Sequence, residues 1–146
     1  MLTWENSVFI NRPQQQAWEF ISDPANFPYL SSGNEPAEWA SDGPPGVGST
    51  LREAGKVFGR RMEGISQVTV WDPPNQFSRK YISGAFQGEG TMKLEARENG
   101  TQFTALGQVE IGFITKIAGG LLSNLMKKQL DAETNKFKLL LESGQV

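Results

Sequence analysis

The sequence predicts an α+β fold: a curved antiparallel sheet of seven strands wrapped round one long C-terminal helix, with short helices after the first strand. Three observations carry this. Asn99-Gly100 and Asp72-Pro73-Pro74-Asn75 are turn sequences flanked by β-rich segments. The segments beside them alternate apolar and polar residues, as half-buried strands do. From Phe113 to Glu142 the apolar residues recur instead at helical spacing.

Residues Trp4 to Asn11 alternate and read as the first strand. Pro13 then stands in the first turn of a helix, QQQAWEFIS, whose Ala17, Trp18, Phe20 and Ile21 share one face and which Asp23-Pro24 closes. A polar, proline-punctuated stretch from Asn26 to Pro36 reads as a second short helix and a loop. A short strand follows over Ala37 to Asp42, then a loop from Gly43 to Gly48.

The turns set the pairing of the central strands. A two-residue turn at Asn99-Gly100 pairs Ala96 with Phe103, Leu94 with Ala105, Met92 with Gly107 and Gly90 with Val109. These share an uncharged face, while Lys93, Glu95, Arg97, Gln102 and Thr104 share the other. Four loop residues at Asp72–Asn75 pair Val70 with Phe77, Val68 with Arg79 and Ser66 with Tyr81. A turn at VFGR, with Gly59 at the awkward angle, puts Leu51, Glu53, Gly55 and Val57 on the face of Met62, Gly64 and Ser66. The concave face thus mixes apolar residues with Glu53, Ser66, Arg79 and Tyr81, and carries Gly55, Gly64, Gly90 and Gly107. On the last helix Ile114, Ile117, Ala118, Leu121, Leu122, Leu125, Leu130, Thr134, Phe137 and Leu141 form the apolar stripe. Gly119-Gly120 interrupts it, where a kink is expected.

Composition narrows the function. The chain has 146 residues, read as a single domain over 1–146. At that size a fold hides roughly 68–70% of the surface its unfolded chain exposes. Fourteen Lys and Arg against 16 Asp and Glu argue against a nucleic-acid partner, which needs a basic face. With no Cys and no His there is no thiolate nucleophile, no zinc knuckle and no serine triad; neither metal nor cofactor is expected. The N-terminus shows no signal-peptide pattern and no stretch is long enough to span a bilayer, so the expected compartment is cytoplasmic.

Three stretches carry a resemblance. VFINRPQQQAWEFISDPANFPYL, VGSTLREAGKVFGRRMEGISQVTVWDPPNQFSRKY and NGTQFTALGQVEI with the helix after it together resemble the START-like, polyketide-cyclase and birch-pollen-allergen (SRPBCC) superfamily, which has the helix-grip fold. The resemblance implies a cavity between sheet and last helix that takes a small hydrophobic ligand. Its wall would come from the concave face: Leu51, Glu53, Ser66 and Val68, then Arg79 and Tyr81, then Met92, Leu94, Phe103, Ala105 and Val109. Leu121 and Leu125 would face it from the helix, with Trp39 at its mouth. The competing reading has the glycines serve curvature alone, with Met92, Phe103 and Leu125 filling the space.

Glu53 and Arg79, if inward, should pair with each other or meet a ligand, because a lone buried charge is costly. In a metal-independent cyclase or dehydratase they would polarise a carbonyl and move a proton together with Tyr81, burial raising the Glu53 pKa. The plainer alternative is a salt bridge at the rim, or a one-residue slip that exposes both. Trp18 reads as core, and Trp71 as the cap of a strand end. Lys127-Lys128-Gln129 reads as a solvated face; membrane contact through IGFITKIAGGLLSNLMKK would be transient at most. Gly88-Glu89-Gly90 lies mid-sheet and is no phosphate loop. Three functions follow: a carrier or binder of a lipid, polyketide or aromatic compound; a cyclase or dehydratase using Glu53, Arg79 and Tyr81; or a chaperone-activator-like interaction module.

Overall fold

The alternating segments become the strands of one antiparallel sheet. The computed structural model describes residues 2–31, 33–57, 59–85, 87–110 and 114–144, with all side chains of these except 2, 57 and 114–123. Strand β1 (Leu2–Ile10) leads to helix α1 (Gln14–Ile21), a 3-10 turn (Pro24–Asn26) and the short helix α2 (Phe27–Leu30). Strands β2 (Glu38–Trp39), β3 (Thr50–Val57), β4 (Arg60–Asp72), β5 (Gln76–Gly84), β6 (Gln87–Arg97) and β7 (Gly100–Glu110) precede helix α3 (Ile114–Ser143). The sheet order is β1-β7-β6-β5-β4-β3-β2, so the first strand closes against the last and β1 and β2 form the two edges.

Pro13 caps α1 one residue earlier than predicted, and Ala17, Trp18, Phe20 and Ile21 are all buried. Asp23 ends the segment by accepting the Ala25 amide at 3.0 Å, with Pro24 opening the next turn. Phe20 of α1 and Phe103 of β7 each stand 5.3 Å, centroid to centroid, from Phe137 of α3. Trp18, Trp71, Trp39 and Phe77 make a second aromatic group around the β4–β5 turn.

Two registers differ from those predicted; only at the tip of β4 does a face change, where Trp71 replaces Val70 opposite Phe77 and Val70 lies opposite Ser78. In β6–β7, Arg97 pairs with Gly100, Leu94 with Phe103 and Met92 with Ala105. The turn residues are Glu98 and Asn99, and Glu98 takes the left-handed angle, φ 50°. Gly100 sits instead in the strand, where a Cβ would meet the Ile10 carbonyl oxygen and approach the Phe9 ring to 2.6 Å. The shift is two residues, an even number, so the face is kept. Gly100→Ala is expected to cost about 1–3 kcal/mol, read as a lower thermal midpoint; an unchanged midpoint would mean that the Phe9 ring and the neighbouring backbone yield freely.

In β4–β5, Trp71 rather than Val70 faces Phe77, across a turn one residue shorter than predicted. A bulge at Thr69 then restores the expected partners Val68–Arg79 and Ser66–Tyr81. In β3–β4 the shared face is as predicted, and the register puts Leu51 opposite Ser66, Glu53 opposite Gly64 and Gly55 opposite Met62.

Helix α3 packs along the concave face and is tied to the outer edge of β1. Lys127 Nζ donates to the Glu5 carbonyl at 3.3 Å and Lys138 Nζ to the Phe9 carbonyl at 2.7 Å. The Asn11 amide donates to Glu142 Oε2 at 2.6 Å, and Asn6 donates to Asp131. Of the predicted stripe, Thr134, Phe137 and Leu141 are buried and Leu130 half-buried. Leu125 is 50% exposed, so it does not fill the interior. The side chains of Ile114 to Leu122, Leu121 included, lie outside the described residues, as does Phe113. Among the described residues no helix is long and apolar enough to cross a membrane.

Candidate functional site

Strand alternation and the restored β4–β5 register bring four polar side chains together on the concave face. Glu53 is 8% exposed and Ser66 fully buried. Arg79 Nε donates to Glu53 Oε2 at 2.7 Å and Nη2 to Oε1 at 2.9 Å, a two-pronged pair. Ser66 Oγ donates to Oε2 at 2.5 Å, and the Tyr81 hydroxyl to Oε1 at 3.3 Å. Four donors therefore meet the roughly four lone-pair sites of one carboxylate. Phe27, from α2, lies under the Arg79 guanidinium at 4.8 Å to its ring centroid. The pair is interior, neither at the rim nor exposed by a slipped register.

The electrostatics follow from this crowding. Burial alone would raise the Glu53 pKa, but the charge and hydrogen bonds of Arg79, with those of Ser66 and Tyr81, outweigh it and hold the carboxyl below its ordinary value. This reverses the direction predicted for a catalytic Glu53. Burial lowers the Arg79 pKa, yet the adjacent Glu53 charge more than compensates and the group is raised. Tyr81 is pushed up to about 12, first by burial, against the opposing Arg79 charge and with that of Glu53. At neutral pH the cluster is a closed ion pair beside a protonated phenol. All of the roughly four lone-pair sites of Glu53 are engaged in this way, two of them in holding Arg79.

The cluster stands in the wall of a cavity of about 230 Å³ between the sheet and α3, somewhat below the roughly 300–1,000 Å³ of drug-sized pockets. Of the predicted residues, Glu53, Arg79, Tyr81, Met92, Ala105 and Val109 line it. Leu51, Val68, Leu94 and Phe103 face the same side but are sealed in the core, and Ser66 reaches the cluster only through Glu53. Trp39 is not at the mouth: it packs against Trp71 at 5.8 Å and lies parallel to Phe77 at 6.3 Å. The space is thus partly filled and partly open.

The sequence reading missed Trp4, Phe27, Leu30, Met126 and Leu130 as lining residues. The available signal for Phe27 was the Asp-Pro cap, which turns α2 across the sheet. For Trp4 it was alternation in β1, but only the closure of β1 on β7 shows which residues it covers.

A partly open apolar cavity, gripped between a curved sheet and a C-terminal helix, defines the helix-grip class. The sequence matches the family described as polyketide cyclase / dehydrase and lipid transport over residues 1–142, and the chain belongs to that family. Among solved structures, the protein TTHA0849 from Thermus thermophilus is 17% identical at a TM-score of 0.79, with 99% of each chain covered. A START superfamily protein from Mycobacterium smegmatis is 18% identical at 0.66, over 92% of this chain and 97% of that one. The ZhuI aromatase/cyclase from Streptomyces sp. R1128 is 17% identical at 0.64, over 97% of this chain and 88% of that one. At these identities the likeness is one of fold. No curated protein matches the sequence.

Proposed function

We propose that the protein binds a small, largely apolar ligand in the cavity, with an oxygen atom of that ligand directed at Arg79 and Tyr81. The observation that supports this is the placement of one buried polar cluster in a wall that is elsewhere mostly apolar, with Phe27, Met92, Ala105, Val109, Met126 and Leu130 in it and Ser31, Asn34, Lys56 and Thr91 as its further polar members. Apolar walls supply affinity, and a few fixed donors supply orientation. The family description, which joins cyclases with lipid transport, accords with this reading. Calorimetric titration with 2-naphthol, decanol and decanoate is the test. Saturable one-to-one binding of at least one is expected, with Tyr81→Phe weakening a hydroxyl-bearing probe about fivefold, the worth of one hydrogen bond. No saturable binding of any would overturn the proposal.

A second reading, a cyclase or dehydratase, is favoured by the family and by the aromatase/cyclase likeness. In it Arg79 would polarise a substrate carbonyl while Glu53 holds it in place, and the Tyr81 hydroxyl would exchange its hydrogen bond to Glu53 for one to that carbonyl. Its mark would be turnover lost in Tyr81→Phe at nearly unchanged affinity. The open cavity weighs against the interaction-module reading.

A further inference from the structure

Gly90 and Gly107 are direct partners across β6 and β7, in the middle of the concave face. Their row continues on one side to Trp4, which pairs with Gly107, and on the other to Arg79, which pairs with Gly90. Two adjacent bare positions leave a trough in the sheet floor. Trp4 occupies part of it: a Cβ on Gly107 would stand 2.6 Å from Trp4 Cζ2 and 2.8 Å from Cη2. The benzo ring of the indole therefore rests where a side chain of Gly107 would be. A Cβ on Gly90 would lie 3.8 Å from Trp4 Cζ2 and also 3.8 Å from Arg79 Nη1. Gly90 thus marks a gap with an aromatic ring on one side and a guanidinium on the other, and all three line the cavity.

We propose that Trp4 is the specificity-determining residue of this cavity, selecting planar, uncharged, oxygen-bearing rings that pack on its indole over Gly90 and direct their oxygen to Arg79. The inference rests on the ligand-binding reading above. Planarity follows from the indole, which gains most from another ring. Lack of charge follows from the cluster. Glu53 already neutralises Arg79 through two hydrogen bonds, so an entering carboxylate would lose its water without gaining an unpaired cation. The other cation of the lining, Lys56, is exposed to solvent and offers only a screened contact.

The experiment compares 2-naphthol with decahydro-2-naphthol, its saturated counterpart, and with 2-naphthoate, by calorimetry at pH 7. Wild-type protein is expected to prefer 2-naphthol to either about fivefold or more, the scale of one aromatic contact. Trp4→Leu should bring the ratio of 2-naphthol to decahydro-2-naphthol to about one while leaving the saturated probe's affinity nearly unchanged; general damage to the fold would weaken both probes alike. Gly90→Ala, whose methyl meets only ordinary contacts, should fold normally and weaken 2-naphthol by narrowing the gap. In the wild-type protein, 2-naphthol should shift the indole N–H resonance of Trp4 more than those of Trp18, Trp39 and Trp71, which needs no variant to fold. A wild-type ratio near one, a ratio unmoved by Trp4→Leu, an unmoved Trp4 resonance, or 2-naphthoate binding as tightly as 2-naphthol would overturn the inference and leave the ligand-binding reading standing. Saturable binding of none of the three would overturn the inference, and if decanol and decanoate failed to bind as well, the ligand-binding reading would fall with it.

Discussion

Arg79→Met is expected to destabilise the protein by about 3–5 kcal/mol, because it leaves a buried carboxylate without its countercharge. The pH dependence should change sign with it. In the wild-type protein the folded-state pKa of Glu53 is lowered. Its contribution is therefore fully present above the unfolded value of about 4.3 and is lost as pH falls through the folded one. Without Arg79, burial is opposed only by Ser66 and Tyr81, and the folded pKa rises above the unfolded one. In the variant the Glu53 contribution should then be fully present below about pH 4.3 and be lost as pH rises through its folded-state value. Urea unfolding of both proteins at pH 4 and pH 7 checks this: the gap between them should be smaller at pH 4. The double variant Glu53→Leu/Arg79→Met should recover most of the loss, since paired burial contributes little beyond what apolar packing would. A loss independent of pH, or no recovery in the double variant, would mean that Arg79 stabilises through packing on Phe27 rather than through its charge.

Phe137→Ala should cost a similar amount, about 3–5 kcal/mol. The ring is 1% exposed and fits between Phe20 of α1 and Phe103 of β7, so it joins the last helix to both layers beneath it. Truncation leaves a void that three separate elements would have to close together. The urea midpoint should fall with the slope unchanged, as for a loss of stability without a change in the surface exposed. A loss no larger than about 0.5 kcal/mol, the scale of a surface substitution, would show that α3 is held by other contacts.

How the four polar residues of the cluster became visible from the chain alone is instructive. Alternation fixes which residues share a face, and only an odd slip changes that. The β6–β7 pairing departs from expectation by two residues, so Met92 and Ala105 still face the cavity. In β4–β5 the turn is one residue short and the Thr69 bulge puts one back, so Arg79 and Tyr81 arrive opposite Val68 and Ser66 as expected. What could not be read depends on contacts far apart in the chain. Trp4 lines the cavity because β1 closes on β7, and Phe27 because α2 crosses under Arg79. The direction of the Glu53 pKa depends on donors from two further strands converging on both its oxygens. Burial is legible from pattern, whereas the count of donors is not.

The ties between α3 and β1 bear on a different matter, the behaviour of an open sheet in a crowded solution. A sheet that does not close on itself has two borders, and each offers unpaired backbone groups to any passing chain. Here one border is the two-residue β2, too short to act as a template. The other is the nine-residue β1. There, the Glu5 and Phe9 carbonyls and the Asn11 amide are already taken by Lys127, Lys138 and Glu142. The helix that roofs the interior therefore also guards the border against intermolecular pairing. Self-association and helix docking are coupled as a result: lifting α3 would uncover the core and bare a long, apolar-rich strand edge in the same event.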